Sequence, residues 1–135
     1  MKRSGFAFLL LLGACGGFDY AGTWDGDIER MTVASGVTLS THEQWHIHDA
    51  ELDRVRGSES CTLMVEQGTC SRGCYDKVIL AGQSCMIDGR TLVLIEGYLS
   101  WQGSSARDEA DASLSWAASA GATPEIVETG VLIQD

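Results

Sequence analysis

Three histidines, two groups of carboxylates and five cysteines are the side chains in this sequence whose types and spacing could carry chemistry. His42, His46 and His48 all stand at even positions, so one uninterrupted strand projects them from one face. Two histidines at i and i+2 can share a zinc or copper ion that a third ligand completes. His42 lies about 13 Å from His46 on a strand rising roughly 3.3 Å per residue. That is too far for one ion, so the metal reading narrows to His46 and His48 with a third ligand unnamed. The plainer alternative is a solvated polar face opposite Trp45 and Ile47. Asp25, Asp27 and Glu29 share a strand face in the same way. They suit a cation or a basic partner, or a carboxyl of raised pKa if one is buried, or simply the wet side of an edge strand. Asp108, Glu109 and Asp111 make a second acidic patch, read as a solvated loop. Nothing arranges a nucleophile. There is no Gly-x-Ser-x-Gly elbow, no phosphate-cradling glycine loop with lysine and no His-Glu-x-x-His. The expectation is a domain without catalytic residues or a cofactor.

The cysteines divide according to what precedes the first of them. Met1-Lys2-Arg3 is basic, and Phe6 to Leu12 is an apolar run too short to cross a bilayer, which takes about 20 residues. Such a run fits the apolar region of a secretory signal, with small residues before the cut. Leu12-Gly13-Ala14-Cys15 resembles the lipobox of bacterial lipoproteins. That resemblance implies cleavage after residue 14 and a diacylated Cys15 as the new first residue. Gly16, standing where an aspartate would retain a lipoprotein in the inner membrane of enteric bacteria, implies the outer membrane. The rival is an ordinary secretory signal with an incidental Cys15. Residues 1–14 are thus read as signal, 15–19 as a lipidated tether and 20–135 as one domain. Without Lys2 and Arg3 the mature chain holds seven basic and 19 acidic side chains, a formal charge of −12. This opposes nucleic acid and anionic lipid as partners and favours a cationic protein, or serves solubility alone.

With Cys15 assigned to lipid, Cys61, Cys70, Cys74 and Cys85 remain, an even number in an oxidising compartment. Four cysteines allow three pairings. Cys61 opens one alternating run and Cys85 closes the next, while Cys70 and Cys74 flank the tip between them. The nested pairs Cys61–Cys85 and Cys70–Cys74 suit cross-strand neighbours of one hairpin. Zinc on Cys70-x3-Cys74 is the rival.

The elements that must position these groups are strands. No stretch keeps a helical period over three turns, and no internal repeat appears. Strand-like runs fall at Tyr20–Val33, with a phase change near Arg30, and at Thr38–Asp49, extending to Val55. Others fall at Cys61–Gln67, Tyr75–Ala81, Cys85–Ile87, Arg90–Trp101, Ala112–Ala118 and Glu125–Gln134. Asp88-Gly89 is the strongest two-residue hairpin signal. Arg90–Trp101 is apolar on both faces and is expected to be the most buried strand. The fold expected is all-β, an antiparallel meander of about eight strands closing as a small barrel or stacking as a sandwich.

Phe18-Asp19 followed by Gly22-Thr23-Trp24 resembles the opening of lipocalins, which implies a calycin-like barrel with Trp24 at its base. The wider pattern is similar to small β-rich bacterial lipoproteins. It comprises a lipobox, Gly-Thr-Trp, and a cysteine answered by Gly82-Gln83-Ser84-Cys85. That likeness supports the Cys61–Cys85 bridge and carries no activity with it. If the barrel is open, Trp24, Trp45 and Trp101 line a pocket for a small apolar ligand; if not, side chains fill it. Three functions follow as expectations. The first is a non-enzymatic binding or assembly domain anchored through Cys15 to the outer membrane, facing periplasm or exterior. The others are an inhibitor of a cationic hydrolase such as lysozyme, and a metal site on His46 and His48.

Overall fold

The computed structural model describes residues 19–68, 76–101 and 108–135. Among them are nine antiparallel strands and no helix: β1 (Gly22–Thr32), β2 (Thr38–His48), β3 (Glu51–Arg56), β4 (Glu59–Gln67), β5 (Asp76–Ile79), β6 (Ser84–Ile87), β7 (Arg90–Trp101), β8 (Glu109–Ala117) and β9 (Ile126–Gln134). Each of β1 to β4 pairs with the next in sequence, β7 pairs β8, β8 pairs β9, and β9 returns to β1. Both β5 and β6 pair with β7, β5 against residues 97–100 and β6 against residues 90–93. They fill one strand position in two segments, and the sheet closes as an eight-stranded barrel. Closure decides for a barrel over a sandwich and leaves no long open edge.

The break between β5 and β6 explains why Gly82-Gln83-Ser84-Cys85 stands where it does. Val65 on β4 faces Ile79 on β5. Cys61 on β4 bonds Cys85 on β6, two residues beyond an unbroken ladder, with Cα atoms 5.8 Å apart. Gly82, at φ 92°, absorbs the extra length in a conformation other residues avoid. The Gln83 side chain then stands in for the missing ladder. Its Oε1 accepts from the Met64 amide at 2.7 Å, and its Nε2 donates to the Met64 and Leu80 carbonyls at 3.0 and 2.7 Å. Cys15, Cys70 and Cys74 lie outside the described residues.

Two turns and one bulge set the remaining phases. Asp88 and Gly89 both have positive φ, 53° and 79°, as a type I′ hairpin requires. Asp49, at φ 51°, turns the chain between β2 and β3, so the run expected to reach Val55 is two strands. Aspartate tolerates that region and left only a weak turn signal. A bulge between Leu94 and Glu96 shifts β7, so Leu92, Leu94, Gly97 and Leu99 all face inward while Val93 and Ile95 are half-buried. The phase change expected near Arg30 does not occur. β1 keeps its alternation, and Trp24, Ile28 and Arg30 are all buried on the inner side. β8 begins at Glu109, so Glu109 and Asp111, expected in a loop, belong to a strand.

Candidate functional site

The interior holds the chemistry that alternation alone does not announce. Arg30, Glu43, Arg54, Arg56 and Glu128 are all buried. Each shares its parity with apolar neighbours on its own strand, Glu43 with Trp45 and Ile47, Arg54 and Arg56 with Leu52, Glu128 with Ile126 and Leu132. The inward positions of β1, β2, β3 and β9 therefore bring them together. Arg54 lies between the two carboxylates: its Nη2 donates to both oxygens of Glu43 at 2.7 Å, and its Nη1 donates to Glu128 at 2.8 Å. Arg56 donates to Glu43 at 2.7 Å, and Arg30 to Glu128 at 2.8 Å. Two tryptophans complete the shell, Trp45 donating to Glu43 and Trp116 to Glu128, each at 2.7 Å. Arg54 also lies 5.3 Å from the centre of the Trp45 ring, a cation–π distance. At the rim, half-buried Glu59 takes Arg30 at 3.0 Å and accepts from the Asp88 amide, and Asp88 takes Arg30 at 2.7 Å.

This cluster is electrically closed. Arg30, Arg54 and Arg56 are matched by Glu43, Glu59 and Glu128, with Asp88 added at the rim. Burial pushes the Glu128 carboxyl up, but the charge and hydrogen bonds of Arg54, the charge of Arg30 and the Trp116 indole outweigh it and hold the group down at about 2. Burial opposes the charge on Arg54 and Arg30 as well, and their carboxylate partners more than restore it. A carboxylate so held does not exchange protons near neutrality. The arrangement fixes strands to one another.

The tryptophans expected to line a pocket do not. Trp24 and Trp45 have no accessible surface, which leaves no water-sized space beside either ring. Trp24 donates to the Tyr20 carbonyl at 2.9 Å and packs on the Tyr20 ring, at the end where β1 begins. Trp101 is half-buried and packs against the core. Among the described residues, side chains fill the barrel around these rings, the alternative for a domain of this size. The tryptophan that a pocket reading missed, Trp116, belongs to the ionic cluster.

The three histidines do share the outer face of β2, and all are exposed. They do not converge. The two ring nitrogens of His42 lie 3.3 Å from Asp25 and Asp27. His46 pairs with the Thr23 hydroxyl at 2.9 Å, and His48 with Asp53 at 3.3 Å. Among the described residues no three His, Cys, Asp or Glu side chains are grouped to hold a metal ion. Asp25, Asp27 and Glu29 lie on the outer face of β1, as the alternation predicts, beside His42. Asp25 and Asp135 border the same stretch of the outer wall, and the pairing of their carboxyl groups lowers the pKa of Asp25 and raises that of Asp135. A scan against protein-family models finds no match to this chain, and a search of curated proteins finds none.

Proposed function

We propose that this protein is a lipid-anchored domain of the bacterial cell envelope, held to the outer membrane through Cys15, that acts as a non-enzymatic binding module through the outside of its barrel. The observation that carries the reading is the filled and charge-matched interior. With Trp24, Trp45 and Trp116 fully buried, no space for an apolar ligand is left beside these rings among the described residues. The outer wall is left to do the binding, and its formal charge selects cationic proteins. Cys15 precedes Tyr20 by five residues, at most about 18 Å of chain. An anchor there sets the Tyr20 and Trp24 end near the bilayer and turns the arginine-rich end away from it.

The full chain expressed in an enteric host is expected to incorporate labelled palmitate and to sediment with the outer membrane, both lost in Cys15→Ser. A wild-type chain that takes up no label contradicts the anchor. Inhibition of a cationic hydrolase is the second reading, favoured by the carboxylates exposed along β1 and β3. It requires the mature chain to retain lysozyme at low ionic strength and release it as salt rises. No retention at low ionic strength removes it.

A further inference from the structure

The outer wall carries one surface with more than charge. β9 turns Val127, Thr129, Val131 and Ile133 outward in a row, three apolar side chains and one threonine, and Val131 keeps 45% of its surface exposed. Its two neighbours answer with acid at the same levels. On β1, Asp25 stands opposite Ile133, with Asp27 two residues on. On β8, Glu109 stands opposite Ile133 and Asp111 opposite Val131. At Val131 and Ile133 the row is thus flanked on both sides by carboxylates, while at Val127 its neighbours are Met31 and Ser115.

The wall is also indented there. The β1–β9 ladder has no pairs between Asp25↔Ile133 and Ile28↔Gly130. An open groove of about 620 Å³ lies over Val131 and Ile133, bounded by Asp25, Asp27 and Asp135, with His42 between the two β1 carboxylates at 3.3 Å from each.

We infer that this groove docks a cationic amphipathic helix of a partner protein. The inference rests on the binding role proposed above and names the partner's chemistry. Two strand spacings of about 4.8 Å put the acidic rails roughly 10 Å apart, the width of one helix with its side chains. A helix laid along β9 sets its apolar stripe on Val131 and Ile133, and the lysines or arginines flanking that stripe reach a rail on each side. The six steps from Val127 to Ile133 span about 20 Å at roughly 3.4 Å each, the length of about 14 helical residues at 1.5 Å.

The test uses the mature chain with Cys15→Ser, since the barrel closes within the described residues. The probes are two labelled 14-residue peptides of leucine and lysine with identical composition. One has its leucines at helical i, i+3, i+4 spacing, and the other has them scattered. Fluorescence anisotropy at pH 8 is expected to show the striped peptide binding at least ten-fold tighter. Val131→Gln, at an exposed position that the fold does not depend on, is expected to abolish that preference. Asp27→Asn with Asp111→Asn is expected to weaken the striped peptide several-fold, while Glu66→Gln on β4 changes it less than two-fold. Equal binding of the two peptides, or a preference that survives Val131→Gln, overturns the groove. If lysozyme is still retained in that case, the outer-wall binding role stands without the groove. If neither peptide nor lysozyme binds at low ionic strength, both fall.

Discussion

At the end of the barrel where β1 begins, the inward residues just inside the strand termini are Trp24, Ile47, Leu52, Val65, Leu99, Ala110 and Leu132, all buried. At the opposite end buried Ile87, Leu92 and Ile126 share the interior with Arg30, Arg54, Arg56, Glu59 and Glu128. The first end is closed by apolar burial, which is non-directional and tolerates swaps of similar volume. The second is closed by directional bonds. A buried ion cluster is weak evidence for stability, because desolvation offsets much of the Coulomb attraction. It is strict about geometry, however. A one-residue slip of β1, β2, β3 or β9 would turn its charged side chain outward and leave its partners buried and unmatched. The apolar end supplies cohesion, and the ionic end specifies register.

The largest effect should come from leaving charge unmatched at the ionic end. Glu128→Gln deprives Arg30 and Arg54 of a common partner and is expected to cost about 3–5 kcal/mol in urea unfolding. Adding Arg54→Leu to that variant should recover part of the loss. A double variant no more stable than the single one would show that the cluster does not act as a unit. At the apolar end, Leu132→Ala should cost about 3 kcal/mol through a cavity, and this loss should be the same at pH 7 and pH 3.

Acid separates the two ends further. Glu128 is held at about 2 against an ordinary value of 4.5. Its contribution is therefore present above 4.5 and is lost as pH falls from there toward 2, about 3 kcal/mol in all. Glu59 is shifted down as well, the bonds from Arg30 and the Asp88 amide overcoming its partial burial, and it acts in the same direction. Thermal melts between pH 5 and pH 2 should show a steep fall in wild type and a shallower one in Glu128→Gln. Equal slopes would mean that Glu128 is not the group being titrated. The smallest effect belongs to the rim, where Asp88 is 57% exposed. Asp88→Asn should change stability by less than about 1 kcal/mol.

Much of the barrel was legible from turn chemistry and alternation. Asp88-Gly89, the inward parity of Trp24 and Ile28, and Cys61 paired with Cys85 all follow from residue type and spacing. The ionic end was not, for a physical reason. Reading Arg30 as a break of phase assumes that a charge faces water, and this holds only for an unmatched charge. Arg30 keeps its phase because Glu128 lies 98 residues away in sequence and touching in space. The signal that could have found the cluster was parity. Glu43, Arg54, Arg56 and Glu128 each sit on the apolar side of a strand, two of them acidic and two basic. The histidines point the opposite lesson. Their shared face was legible, but each is spent on a neighbour that only cross-strand register reveals, Thr23 for His46 and Asp53 for His48.

The claim that the barrel is filled and works from its outside is tested most directly by nuclear magnetic resonance of the mature chain titrated with the striped leucine–lysine peptide. The backbone amide signals of Asp25, Asp27, Asp111, Val131 and Ile133 are predicted to move together and saturate. The indole N–H signals of Trp24, Trp45 and Trp116, enclosed in the barrel, are predicted to stay in place. Saturable shifts of those three indole signals, with the outer-wall amides unmoved, would contradict the account.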